Sequence, residues 1–162
     1  MSFDENKRTE ILIYLLNRIA VDDSEFMKAV TKQFDISATS VKRYLIKCIG
    51  DGMIRDDTDR QCGYALCSDI HRHQCELTGE QQEEDILYFE WIEPCLKQLP
   101  VNIRDIWAYA CMEMLNNAIE HSGGKKLSVS IARNYLYTEV VIRDDGVGAF
   151  ENVRNYIRKE FS

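Results

Sequence analysis

The sequence predicts an α+β fold built from two modules. Apolar residues recur at helical spacing three times before residue 50 and again between residues 80 and 121, whereas residues 127–142 alternate apolar and polar side chains in two runs of strand length. A chain of 162 residues, 45% of them hydrophobic, has room for two small globular domains. We predict a first module over residues 1–68, a linker over 69–79 and a second module over 80–162.

The first module is predicted to contain three short helices followed by a hairpin. The periodicity indicates helices over 6–20, 23–34 and 38–49, and strands over 53–55 and 61–66. Ser37 stands where the side chain of an N-cap residue would accept a backbone N–H of the third helix. Two helices joined by such a turn form a helix-turn-helix.

Over about residues 6–66 this order of elements resembles a winged helix. The resemblance implies that the third helix enters a major groove and that the wing lies near phosphates. The DNA-binding residues expected on this basis are Thr39, Ser40, Lys42, Arg43, Tyr44 and Lys47 from the helix, with Arg55 and Arg60 from the wing. Winged helices also dock proteins, and the wing loop carries Asp56, Asp57 and Asp59, which would repel phosphates. A protein partner is therefore the alternative to DNA.

The distribution of charge limits the kind of DNA binding. The net charge of −7 argues against a protein that coats nucleic acid indiscriminately. Residues 1–66 carry 10 Lys+Arg against 11 Asp+Glu, whereas residues 67–162 carry 10 against 16. Because the acidic excess lies mostly in the second part, the first module can present a locally basic face.

The second module holds two motifs that suit a nucleotide. Glu113, Asn117 and His121 are spaced four residues apart, so on a helix a carboxylate, an amide and an imidazole share one face. After two strands comes the run Asp144-Asp145-Gly146-Val147-Gly148, whose two glycines allow a tight turn and a close approach to a ligand. The alternative is a solvated helix face followed by an ordinary hairpin and turn.

The pattern Glu-x-x-x-Asn-Ala-x-x-His with a downstream Asp-x-Gly-x-Gly resembles the GHKL ATPase superfamily, in particular the histidine kinases and the anti-sigma-factor serine kinases. The resemblance implies a partial Bergerat-type α/β sandwich that binds ATP and Mg²⁺. Glu113 would act as the catalytic base, Asn117 would hold Mg²⁺ and Asp144 would accept a hydrogen bond from the adenine amino group. Gly146 and Gly148 would shape the loop beside the base, and His121 would line the phosphate side.

The sequence also departs from that family pattern. The resemblance implies a flexible lid with a second glycine box and further strands, and residues 149–162 hold neither. We therefore expect weak turnover, and either a piece of a longer protein or a fold that has lost activity. An uncovered sheet edge or apolar surface would favour a homodimer.

These observations predict a DNA-binding transcriptional regulator with an ATP-binding sensor or switch domain. The runner-up is an ATPase or serine/threonine protein kinase of the anti-sigma-factor-kinase type, whose winged helix docks a protein substrate. A third reading is an inert adaptor that keeps the motif residues as fold elements.

Further elements are predicted around the motifs. A helix is expected from Thr78, with Gln81 completing a capping box, through Leu99, with a kink at Pro94. A closing helix is expected over 150–161. The stripe predicted to pack the helix 101–121 on a sheet consists of Ile106, Ala110, Met114 and Ala118, with Cys111 and Leu115 beside it.

Residue content also bears on metal binding and on location. Residue types that bind zinc occur close together at Cys67, His71, His73 and Cys75. Their spacing is poor for a structural zinc site, so a wing strand that runs into a polar linker is the better interpretation. No apolar run approaches the ~20 residues that span a bilayer, and the start lacks the apolar core of a signal peptide. We expect a cytoplasmic protein with free thiols and no membrane contact.

Overall fold

The computed structural model describes residues 4–77 and 83–147. They form a mixture of helices and two small sheets, which is the predicted α+β class. By their contacts they divide into two compact units. Unit 1 comprises the described residues up to Asp69 together with Arg133–Thr138, and unit 2 comprises Ile70–Ala132 and the described residues from Glu139 onward. The predicted capping residues Thr78 and Gln81 and the predicted closing helix lie outside the described residues.

Unit 1 begins with the three predicted helices, which the structure confirms. They are α1 (Glu5–Ala20), α2 (Phe26–Phe34) and α3 (Ala38–Gly50). The Asp4 carboxylate caps α1 by accepting the Lys7 N–H at 2.7 Å. Ser37 caps α3 as predicted, with its Oγ accepting the Ser40 N–H at 3.2 Å. Each cap satisfies a backbone donor that the first turn of a helix leaves unpaired.

A two-stranded hairpin completes the first fold unit. Strands β1 (Ile54–Asp56) and β2 (Tyr64–Leu66) pair antiparallel, with Ile54 opposite Leu66. The core beneath the hairpin and the helices consists of fully buried side chains, chiefly Ile11, Leu15, Leu16, Ile19, Val30, Val41 and Cys48. Three helices and an adjoining hairpin with one common core are therefore present over the range in which the periodicity predicted them.

Residues 133–138 belong to the same unit. The Asn134 carbonyl oxygen accepts the N–H groups of Leu136 at 2.8 Å and Tyr137 at 3.1 Å, which forms a tight Asx-type turn. Its amide donates to Ser68 Oγ at 3.3 Å, and Leu136 packs against the core of unit 1. This short turn is thus anchored by one side-chain hydrogen bond and one apolar contact.

Unit 2 is built on a three-stranded sheet in the order β3-β4-β5. The strands are β3 (Asp69–Glu76), β4 (Lys126–Arg133) and β5 (Thr138–Asp144). Leu77 N–H donates to the Lys125 carbonyl at 2.7 Å, which brings the end of β3 to the start of β4 and makes this pair antiparallel. Residues 69–76, predicted as linker, are therefore a strand. Their polar sequence gives no alternation signal, and pairing with β4 decides their conformation.

Two helical stretches pack on this sheet. The first runs from α4 (Glu84–Leu87) through a π-helical segment (Tyr88–Ile92) into α5 (Glu93–Leu96). The π winding precedes Pro94, which lacks an N–H, and the Glu93 N–H reaches back five residues to the Tyr88 carbonyl. The kink expected at Pro94 is thus accommodated as a change of helical winding.

The second stretch is α6 (Val101–Asn116), which continues as a π-helical segment (Asn117–His121). Its buried face carries Cys111, Leu115 and Ala118, as predicted. The rest of the predicted core stripe is wrong, since Ile106 is 65% and Met114 48% exposed and Ala110 is also exposed. Apolar residues occupy both sides of this helix, so periodicity could not decide which side faces the sheet.

Candidate functional site

A small cavity in unit 2 brings together two of the predicted nucleotide-binding residues. Asn117, at the start of the second π-helical segment, and Asp144, at the end of β5, line the same space of about 200 Å³. The other lining residues are Met114, Ala118, Ser122 and Ile142. The cavity therefore combines an amide and a carboxylate with an apolar wall, a composition that suits a ligand with a planar ring and a polar edge.

The helix end that supplies Asn117 is fixed by the residues that follow it. Ser122 is 1% exposed, and its Oγ donates to the Ala118 carbonyl at 2.6 Å and accepts the Gly124 N–H at 3.0 Å. Gly123 then adopts a φ of 68°, the left-handed conformation in which helices commonly end. The run Ser-Gly-Gly after the helix is the sequence signal for this termination.

Asp145, which follows the lining residue Asp144, anchors the turn after β5. Its Oδ1 accepts the N–H groups of Lys125 at 2.6 Å and Lys126 at 2.8 Å. These hydrogen bonds, from Lys126 first and then Lys125, hold the pKa of the Asp145 carboxyl below its ordinary value of 3.8. The sequence-based prediction gave Asp145 no role, although the paired Asp residues before a glycine were the available signal.

Gly146 is required for the packing of two backbone segments. A Cβ on Gly146 would collide with the Ser122 carbonyl oxygen and would lie 2.7 Å from the Gly124 nitrogen. The Val147 N–H donates to the same Ser122 carbonyl at 3.1 Å. The close approach that this glycine permits is thus one between the turn and the helix end of the chain itself. Gly148, predicted to line the nucleotide, lies outside the described residues.

The two carboxylate oxygens of Asp144 differ in their hydrogen bonds. Its Oδ1 accepts the Gly146 N–H at 2.9 Å, which closes a turn over two residues. Among the described residues, none donates a hydrogen bond to Oδ2, and the residue is exposed. The carboxylate therefore combines a structural contact with a second oxygen that can accept a hydrogen bond from a ligand.

Glu113 and His121 do not line this cavity. Both are exposed, and His121 Nε2 lies 3.8 Å from the Glu120 carboxylate. Glu113 precedes the lining residue Met114 by one position, which rotates it roughly 100° around the helix. His121 is the last residue of the second π-helical segment.

The size and lining of the cavity limit what it could hold. At about 200 Å³ it is smaller than the roughly 300–1,000 Å³ of typical ligand pockets, so it would enclose one end of ATP and leave the remainder exposed. Mg²⁺ needs few protein ligands because phosphate oxygens and waters complete its octahedron. The Asn117 side-chain oxygen would be the protein ligand, and the ion would neutralise phosphate charge.

In unit 1 a cleft of about 810 Å³ lies along α3. It is bordered by α1 residues including Glu5, Arg8 and Leu12 and by Tyr135. Four of the predicted reading residues line it, namely Ser40, Arg43, Tyr44 and Lys47. Thr39 and Lys42 are exposed and lie outside the cleft lining. The predicted set therefore lies partly in the lining of the cleft and partly outside it.

The two wing arginines differ sharply. Arg60 donates to the carbonyl oxygens of Ile19 at 2.7 Å and Ala20 at 3.1 Å, and its Nε lies 3.6 Å from Asp22. It therefore caps the C-terminal end of α1, where a cation is favoured by the helix dipole. Its guanidinium is thus engaged within unit 1, and the phosphate contact stays a prediction. Arg55 is 65% exposed and pairs with Asp57 at 3.6 Å.

The described residues contain no group of three His, Cys, Asp or Glu side chains that could hold a metal ion. The His73 ring stacks on Trp91 with centroids 5.1 Å apart and an interplanar angle of 9°. All six cysteines are free thiols. The Cys67–Cys75 region therefore lacks the cluster that a zinc site requires.

Comparisons with known proteins add no assignment, since no family model, curated protein or solved structure matches the chain. In the part of the chain that the structure describes, no helix is both long and apolar enough to cross a bilayer.

Proposed function

We propose that the protein is a nucleotide-responsive regulator that binds ATP with Mg²⁺ in unit 2 and DNA through α3 of unit 1. The observation that carries the nucleotide half is the meeting of Asn117 and Asp144 at one cavity, although they come from different elements. It is supported by the order of these residues in the sequence, which resembles the GHKL pattern.

The chemistry of the cavity assigns a role to each wall. The Asp144 Oδ2 would accept the exocyclic amino group of adenine, while Oδ1 keeps its hydrogen bond to Gly146. Ile142 and Met114 would contact the faces of the base, because apolar side chains favour a flat π surface. Asn117 would lie toward the phosphates and hold Mg²⁺ through its amide oxygen.

The DNA half relies on the exposed edges of α3. Lys42, Arg43 and Lys47 are exposed cations on one short helix, and the N-terminal residue Thr39 is exposed beside them. This suits backbone and base-edge contacts by a helix in a major groove. Arg55 of the wing would approach a phosphate once its exposed pair with Asp57 opens, since such pairs contribute little.

The position of Glu113 favours a switch over a catalyst. A general base must come within hydrogen-bond reach of the group it deprotonates. Glu113 is exposed and outside the cavity lining, so the geometry gives the ATPase or kinase alternative no specific support.

Calorimetric titration with ATP and Mg²⁺ tests the nucleotide half. Asn117→Ala should weaken binding about tenfold or more, as expected when one metal or hydrogen-bond contact of about 1.4 kcal/mol is lost. Asp144→Asn retains an oxygen for the Gly146 N–H, so it should keep the turn while weakening adenine binding. Glu113→Gln serves as the matched control and should bind as the wild type does. Equal affinities in all four proteins would refute the site.

Fluorescence anisotropy with duplexes selected from a random pool tests the DNA half. Lys42→Ala and Arg43→Ala should each lower affinity and reduce the steepness of the salt dependence. Lys97→Ala, which removes an exposed lysine of unit 2, is the control and should leave both unchanged. Failure to select any duplex, with protein partners recovered instead, would favour the docking alternative.

A further inference from the structure

The cleft along α3 in unit 1 has the size of a small-molecule site. Its volume of about 810 Å³ lies within the roughly 300–1,000 Å³ of typical ligand pockets. One wall is a face of α1 that includes Thr9 and Leu12, and the other is a face of α3 that includes Ser40, Tyr44 and Cys48. The cleft is therefore a groove between two helices, each of which presents residues spaced three and four apart.

The most deeply buried residues that line the cleft are apolar. Cys48 is fully buried, and Leu12 and Met53 are half-buried side chains that pack against the core of unit 1. Burial raises the pKa of the Cys48 thiol to about 11, so this side chain is neutral near neutral pH. We call these three residues the floor of the cleft. A ligand that reaches the floor exchanges water for apolar contacts, which favours an apolar body.

Two tyrosines also line the cleft. Tyr44 is half-buried on α3, and Tyr135 is exposed on the turn over residues 133–138. That turn is fixed in unit 1, because the Asn134 side-chain oxygen accepts the Leu136 N–H at 2.8 Å and Leu136 packs against the core. The aromatic rings have flat faces that stack well on another flat group. The tyrosines therefore favour a flat ligand over a bulky one.

The charges of the lining favour an anionic group beside α3. Arg43 and Lys47 are exposed and four residues apart on one helix face, so both can reach the same group. Neither forms an ion pair with any residue that the structure describes. Asp51 lies four residues beyond Lys47, and on α1 the lining residues Glu5 and Arg8 carry opposite charges. The cationic part of the lining is thus the stretch of α3 between Arg43 and Lys47.

We propose that this cleft binds a small organic acid with a flat apolar body. The body lies on the floor beside the two tyrosines, and its carboxylate meets Arg43 and Lys47. A neutral apolar molecule or a small hydrophilic anion would use only one of these two parts of the lining. The proposal does not depend on whether the protein binds DNA or ATP, although a DNA phosphate and the acid would compete for the same two cations.

NMR titration of the full ¹⁵N-labelled chain with 1-naphthoate tests the site. This probe has a flat apolar body and one carboxylate, and a ligand of its size should bind at millimolar concentration or below. The amide shifts should concentrate on the residues that line the cleft, with Leu12 and Cys48 among them. The uncharged 1-naphthylmethanol should bind about threefold more weakly or worse. Equal affinities of the two probes, shifts centred elsewhere, or no shifts at all would overturn the proposal.

Matched substitutions locate the carboxylate. Arg43→Gln and Lys47→Gln should each weaken 1-naphthoate by about threefold or more and leave 1-naphthylmethanol unchanged, because only the acid uses their charge. Lys42→Gln is the control, since Lys42 is also an exposed cation of α3 but lies outside the lining. Equal losses in Lys42→Gln and Arg43→Gln would reduce the effect to overall charge and contradict the site.

A substitution on the opposite wall tests the position of the apolar body. Thr9 is exposed on α1 and lines the cleft, so Thr9→Trp can enlarge the side chain there without entering the core. It should block both 1-naphthoate and 1-naphthylmethanol by occupying the cleft. Undiminished binding of both probes to Thr9→Trp would place them elsewhere on the protein and would overturn the proposal.

Discussion

Asp145 holds the start of strand β4 through Lys125, whose backbone N–H donates to the Asp145 Oδ1 at 2.6 Å. The Lys126 N–H reaches the same oxygen at 2.8 Å, and the Asp145 N–H returns a hydrogen bond to the Lys126 carbonyl at 3.2 Å. These contacts join the two ends of the β4–β5 hairpin. They lie directly beside Asp144, so they fix one wall of the candidate nucleotide cavity.

This relationship makes stability depend on pH. Backbone hydrogen bonds lower the pKa of Asp145 in the folded state. The stability that its ionised carboxylate contributes is therefore present above about pH 4 and is lost as pH falls through the folded pKa. Urea unfolding followed between pH 2.5 and 7 should show this loss, and Asp145→Asn should be less stable at pH 7 and less sensitive to acid. Asp59→Asn is a control, since Asp59 is exposed on the wing loop. Equal effects of the two substitutions would contradict the role given to Asp145.

Asp22 should contribute to the same acid dependence from unit 1. Its Oδ1 accepts the Cys62 N–H at 3.0 Å, and this hydrogen bond is the main reason that the pKa of its carboxyl is lowered. Asp22→Asn should therefore also remove part of the stability lost on acidification. Combined with Asp145→Asn, the effects should add, because the two groups belong to separate units. Acid titration curves that remain unchanged in the double variant would argue against both assignments.

Gly146 should not tolerate a side chain. Gly146→Ala places a Cβ against the Ser122 carbonyl oxygen and near the Gly124 backbone, where neither atom is the end of a flexible side chain. We expect a loss of about 1–3 kcal/mol in the free energy of unfolding, the usual range for forcing atoms into a packed site. Gly50→Ala is the matched control, because a Cβ there meets nothing within 4 Å. Urea denaturation of both variants measures the difference, and similar midpoints would show that the turn can move aside.

The cavity and the turn around Gly146 illustrate which features of unit 2 can be predicted from the sequence. The pairing of Asn117 with Asp144 across a cavity follows from two motifs separated by two strands, and the order of helix and strands was readable from periodicity. The functions of Asp145 and Ser122 depend on backbone groups meeting through tertiary packing, and the side-chain pattern alone does not report such contacts. For the same reason the sequence does not report that Gly146 permits the close approach of two chain segments, and its contact with a ligand stays a prediction.

The helix α6 shows a different limit. Its extent was predicted, but its rotation was not, since Ile106, Ala110 and Met114 offer an apolar stripe as convincing as Cys111, Leu115 and Ala118. The strand β3 was missed because its residues are largely polar and its conformation depends on its partner strand. Which face of α6 is buried could therefore be established only from the structure.

Substitutions of Arg60 and Arg55 compare an arginine that caps a helix with one that is exposed. Arg60→Met removes charge-assisted hydrogen bonds to the Ile19 and Ala20 carbonyls and should lower the free energy of unfolding by about 1–3 kcal/mol. Arg55→Met removes only an exposed pair with Asp57 and should change it by less than about 0.5 kcal/mol. If DNA binds as proposed, Arg55→Met should weaken DNA binding by more than its small effect on folding stability would explain. Equal losses of stability would contradict the capping role of Arg60.

The buried thiols allow the two units to be followed separately. Burial raises the pKa of Cys48 in unit 1 and of Cys111 in unit 2 to about 11 each, so little thiolate exists near neutral pH. Both should react with iodoacetamide at pH 8 far more slowly than the partly exposed Cys67, and only when their unit opens. Mass spectrometry after pulsed labelling at intermediate urea concentrations would measure the fraction of molecules in which each unit has opened. If ATP binds in unit 2 as proposed, adding ATP and Mg²⁺ should protect Cys111 more than Cys48, because a ligand stabilises the unit that binds it. Equal protection of both thiols, or of neither at saturating nucleotide, would argue against a site confined to unit 2.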